Sequence, residues 1–189
     1  MSAELRQAAI DNGLIDEREH DQLLADINGV IRQAGIPVEY VWTSIKEFCA
    51  DDEVDYVASI KKDDSALGMM YIGTFEGRPV NERMMSIAGA CLRNYINAKV
   101  MTVQDVLSAL KTDSMPSPTV LLIPNFCMGK KSGGHLAEWE KSNLLGLLYK
   151  RQQEDKKTVL YLSSMEDMEA DYGKPFVDHV KGKFVPITN

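Results

Sequence analysis

The chain has 189 residues, 44% of them apolar and 26% charged, the balance of one soluble globular domain with its own core. A net charge of −7 and a pI of about 5.0 argue against a whole-molecule electrostatic grip on DNA or RNA and leave only a local basic patch for that role. Three scattered cysteines (Cys49, Cys91, Cys127) without a CxxC argue against a disulfide framework or a zinc site, and neither an apolar leader nor a run near the ~18 residues of a membrane span is present, so the expected setting is the cytoplasm.

Residues 2–13 read as a frayed helix. A longer helix is predicted over 16–34, where Leu23, Leu24, Ile27, Val30, Ile31 and Ala34 recur at helical spacing. Asp16, Glu17 and Glu19 suit its positive N-terminal end, and Gly35 followed by Pro37 reads as its stop. Residues 36–42 read as an extended connection. Ser44 and Glu47 form a capping-box pattern ahead of Ile45, Phe48 and Cys49, and the acidic run Asp51-Asp52-Glu53 is expected to interrupt the helix before Val54, Val57 and Ala58 resume it.

Residues 68–72 are short, apolar and bounded by glycines, as a buried strand is. A loop over 73–79 leads to a helix over 80–95 with Met84, Met85, Ile87, Ala88, Cys91 and Leu92 inward, then a second strand over 99–101. Thr102 to Asp105 carries a capping signature for a short helix. Next come a third strand at 119–123, a loop at 124–134, a helix at 135–153 with Leu136, Trp139, Leu144, Leu147 and Leu148 in its buried stripe, and a fourth strand at 158–162. Ser164 to Asp167 caps a further helix that Gly173 ends, and 183–187 reads as a fifth strand whose Pro186 places it at an edge or marks its end. Five short apolar strands alternating with helices imply an α/β fold, a five-stranded parallel sheet with helices on both faces. One boundary is drawn near residue 37, between an N-terminal helical segment (1–36) and the α/β core (37–189).

The order Ile36-Pro37-x-x-Tyr40, Ile45-x-x-Phe48, Gly68 to Gly73, Lys99 to Leu107, Val120 to Ile123, Glu138 to Arg151 and Ser163-Ser164 resembles the bacterial helicase-loader branch of the AAA+ ATPases, which also includes ATPase partners of some transposases. The resemblance spans about residues 36–187. It implies a P-loop sheet and a nucleotide site at Gly73, Gly77, Arg78, Asn125 and Ser163. A Walker A loop needs glycines for an anion-binding turn, a lysine for the phosphates and a hydroxyl for Mg²⁺. Here, to within one residue, Pro79 falls at the lysine position and Val80 at the hydroxyl position, while Glu76 puts negative charge where phosphate would sit; Arg78 is the substitute cation. Pro124-Asn125 stands where paired acids are needed, and Asn125 can hold a water or a phosphate but cannot act as a base. Asp178-His179 falls where the family shows an arginine that reaches a neighbour's nucleotide, and the sequence stops at Asn189 without a helical lid.

Four such losses imply a degenerate, pseudo-ATPase form, with no catalytic residue, no metal and no cofactor expected. The implied role is a non-catalytic, helicase-loader-like adaptor in DNA replication, encoded by a phage or mobile element and bound to a replicative helicase or a catalytic AAA+ subunit. Leu23, Leu24, Ile27 and Ile31 are its expected partner contacts, with Arg151 and His179 as groups acting on a partner's nucleotide. Two alternatives stay open: a nucleotide-dependent ATPase built around Arg78 or Lys130, and a structural subunit of a larger assembly. Gly129 to Gly134 (GKKSGG) also follows a strand and opens a helix, as a phosphate loop does, but its spacing fails the motif. Lys130 and Lys131 are therefore candidates for a local nucleic-acid or phosphate contact, with Lys150, Arg151, Lys156 and Lys157 either joining them or forming a solvated helix end.

Overall fold

The computed structural model describes residues 3–60, 62, 66–115, 117–129 and 136–188. Helices α1 (Ala3–Asp11), α2 (Asp21–Ala25), α3 (Ile27–Ala34), α4 (Glu39–Trp42) and α5 (Asp51–Ile60) precede the first strand, with one 3-10 turn at Ile45–Glu47. The alternating part then runs β1 (Gly68–Ile72), α6 (Val80–Arg93), β2 (Ala98–Val100), α7 (Val103–Lys111), β3 (Val120–Cys127), α8 (Glu138–Gln153), β4 (Lys157–Leu162), α9 (Met165–Tyr172), α10 (Lys174–Lys181) and β5 (Phe184–Ile187).

All five strands are parallel, in the order β2-β3-β4-β1-β5. Met69 lies beside Val159 and Val185, and Leu121 beside Thr158, which fixes the register through the middle of the sheet. Because successive strand residues face opposite sides, the sheet divides the core in two. Met69, Tyr71, Val120, Leu122 and Val159 pack with residues of α1 to α6. Met70, Leu121, Ile123, Leu160 and Leu162 pack with residues of α7 to α10. Strands buried on both faces explain the near-continuous apolar runs.

Several elements differ from the sequence expectation. The helix predicted over 16–34 is two short helices, broken where Asp26 turns to φ −122° and ψ 29°, and its first residues are an Asx-type turn in which the Asp16 carboxylate accepts the Arg18 N–H at 2.8 Å. The acidic run Asp51-Asp52-Glu53 begins α5 rather than interrupting it, since carboxylates favour a helix N-terminus. The stretch read as extended contains the turn α4, whose Tyr40, Val41 and Trp42 are buried. β3 continues past Ile123 through Pro124, and its pairing with β4 slips between Ile123 and Cys127, which lets the proline sit inside a strand. The caps at Thr102 and Ser164 appear as read: each hydroxyl accepts the N–H three residues on, and at Thr102 the Asp105 carboxylate returns to the Thr102 N–H, completing a capping box.

α4 lies unusually close to α6. A Cβ on Gly89 would stand 2.1 Å from the Tyr40 carbonyl oxygen, so only glycine fits there. The buried Arg93 guanidinium, one turn on, donates to the carbonyls of Tyr40 (3.3 Å), Val41 (2.6 Å) and Thr43 (2.8 Å), satisfying the open end of α4. Replacing Gly89 with alanine must separate the two helices. Urea unfolding of Gly89→Ala is expected to lose about 1–3 kcal/mol relative to wild type.

Candidate functional site

In an open parallel sheet the crevice outside the carboxyl ends of the strands, where the connections part to opposite sides, is the usual ligand position. Here that crevice lies at the ends of β1, β3 and β4. Gly73, at φ +89°, follows β1 and donates its N–H to the Leu162 carbonyl at 3.0 Å. Ser163 follows β4 and donates its N–H to the Cys127 carbonyl at 2.7 Å. Hydrogen bonding thus places Gly73 and Ser163 at adjoining strand ends.

The loop between β1 and α6 closes on its own side chains. Phe75 turns inward and meets the Tyr71 ring edge-on at 5.4 Å. The Arg83 guanidinium lies 5.3 Å over the Phe75 ring, and its Nε donates to the Arg78 carbonyl at 3.1 Å. Its other arm meets the Glu53 carboxylate at 2.8 Å. Glu53 has no solvent exposure and also accepts from the Tyr71 hydroxyl and, at 2.7 Å, from the Ala50 N–H. Burial first, and then the Glu53 charge, raise the Tyr71 hydroxyl above its ordinary pKa, so it stays a donor. Gly77 takes φ +79°, as a tight turn requires. Arg78 rests over the Phe48 ring at 4.9 Å and near Glu82 at 3.5 Å, which occupies its charge at the surface.

At the end of β3, Asn125 accepts the Val103 N–H at 2.9 Å and donates to the Gln104 side chain at 3.1 Å. It joins β3 to the start of α7, a structural task that its sequence position did not reveal. The Ser163 hydroxyl donates to Asp167 at 2.7 Å, and the Cys127 thiol to Asp171 at 3.7 Å. Beside them Phe126, Tyr172 and Phe176 stack with centroids 4.8 to 5.8 Å apart. The open space here is a cavity of about 420 Å³ lined by Glu138, Lys141, Asp171, Tyr172 and Phe176, continuing into a smaller one of about 130 Å³ against Asn125. Lys141 is paired with Glu138 at 2.9 Å, and Asp171 is the other carboxylate among the described lining residues. Among the described residues no cluster of His, Cys, Asp or Glu is arranged to hold a metal ion.

Other expected site residues lie elsewhere. Lys130 and Lys131 fall outside the described residues. Leu23 and Ile27 are buried core residues, not a free apolar stripe, because the short helices α2 and α3 turn them onto the sheet-facing cluster; Leu24 and Ile31 are only partly covered. Arg151 is 2% exposed and cannot reach a partner's nucleotide. Its guanidinium donates to the carbonyls of Pro118 (3.1 Å), Thr119 (3.3 Å) and Lys157 (2.6 Å) and to the Thr158 hydroxyl (3.0 Å), binding together the amino ends of β3 and β4. Burial lowers its pKa to about 10, still charged at neutral pH. Lys157 is buried as well, so these two residues do not form a solvated basic patch. His179 packs 4.5 Å from the Tyr149 ring, and burial followed by the Lys183 charge holds its pKa below the ordinary value, so it is neutral where an arginine would be charged. Glu53 and Arg83, the residues that organise the loop after β1, escaped sequence reading because they sit in an acidic run and on a polar helix face.

No family model matches the chain, and no curated protein matches it. Solved structures do. The crystal structure of DnaI matches over 81% of this chain and 94% of its own, at 13% identity and a TM-score of 0.59. The crystal structure of the DnaC helicase loader matches over 79% of this chain and 97% of its own, at 12% identity and a TM-score of 0.56. AMPPCP-bound DnaA from Aquifex aeolicus matches over 76% of this chain, at 12% identity and a TM-score of 0.55. The chain spans about half the length of that initiator (49%) and of a further DNA replication initiation factor (50%). In fold, then, the chain is AAA+-like: a five-stranded parallel P-loop sheet flanked by helices.

Two outcomes follow from the side-chain placements. Arg151→Met leaves several strand-end carbonyls without their donor, at about 1 kcal/mol or more each, and is expected to cost about 3 kcal/mol in urea unfolding. All three cysteines are buried: burial pushes the Cys91 thiol up to about 12, the Cys127 thiol up to about 11, and the Cys49 thiol higher than its usual range. The native protein at pH 8 is expected to show no fast reaction with a disulfide thiol reagent, and three reactive thiols after denaturation.

Proposed function

We propose that this chain is a helicase-loader-like adaptor of DNA replication that works through protein contacts and does not hydrolyse ATP. The observation that supports it best is a contrast within one structure. The sheet has the strand order and the likeness to DnaC and DnaI of an AAA+ domain, while the loop after β1 holds Phe75 and is tied to an internal carboxylate through Arg83. Pro79 offers no N–H to a phosphate and stands, with Val80, where a lysine and a hydroxyl would be needed. Asn125 and Ser163, the residues expected to face a nucleotide there, are engaged by Val103, Gln104 and Asp167 instead. No helix among the described residues is long and apolar enough to cross a membrane. The partner fitting this reading is a replicative helicase or a catalytic AAA+ subunit, and the fold serves as a docking platform.

Titration of the purified protein with fluorescent ATP and Mg²⁺ is expected to show no saturable binding up to ~1 mM, a concentration at which even millimolar sites begin to fill. ATP hydrolysis by the purified protein that disappears in Arg78→Ala or Lys130→Ala would overturn the non-hydrolysing reading. The loader-like part is tested separately, by co-elution with the replicative helicase of the same host on size exclusion. Failure to co-elute at micromolar concentrations of both would remove it.

A further inference from the structure

We draw no further inference here: the strongest candidate, the open groove of about 500 Å³ between the end of α7 and α8, lines Lys150 and Arg151 together with Asp113 and Glu154, so that charge selects no class of partner, and nothing in the structure shows what covers it.

Discussion

The carboxylate of Glu53 lies without solvent exposure where α5, β1 and α6 meet. A charge in that position is tolerable only if donors converge on it, because the cost of removing an ion from water is several kcal/mol before any partner is counted. The Ala50 N–H just before α5, the Tyr71 hydroxyl of β1 and the Arg83 guanidinium of α6 supply those donors. Each must therefore keep its place for the others to keep theirs. The constraint also passes outward, since Arg83 holds the Arg78 carbonyl and underlies Phe75. The shape of the loop after β1 is in this way set from inside the protein, where in a nucleotide-binding loop an external phosphate would help to set it.

A shared sheet does not carry a shared chemistry. At the carboxyl edge the polar groups satisfy one another: Ser163 with Asp167, Cys127 with Asp171, Asn125 with Val103 and Gln104. Away from the crevice, the end of α6 pairs an open cleft with a left-handed backbone at Tyr95, a conformation that a bulky residue disfavours.

The strands and two of the caps were legible in the sequence because their causes are local. Apolar runs such as Val120 to Ile123 are long enough to mark a doubly covered strand, and Thr102 and Ser164 cap through residues three positions away. What failed depended on distant parts of the chain. Tyr40 to Trp42 form a helical turn because Gly89, far along the sequence, lets them approach. Arg151 shares its stretch with Lys150, Lys156 and Lys157 and reads like any solvated cation, yet four acceptors from two strand ends draw it inside. α10 was missed because Gly173 and Pro175 look like a loop, although a proline in a first turn is compatible with a helix. Of the nucleotide-site residues named from the resemblance, Gly73 and Ser163 come to adjoining strand ends, while Arg78 packs on Phe48 at the surface.

The short outer strand β5 bears on how the folded molecule behaves in a crowd of its own copies. An exposed sheet margin is a template on which further chains can add and grow into fibres. β5 has only four residues, one of them Pro186, and a proline is accommodated in a sheet where its missing N–H faces away from the neighbour. The outward row of donors is thus short and interrupted, and the exposed Lys183 just before the strand adds a charge that a second copy would have to approach. At the far margin β2 offers three residues. Both margins are poor seeds for open-ended growth, which favours a molecule that stays dispersed at high concentration.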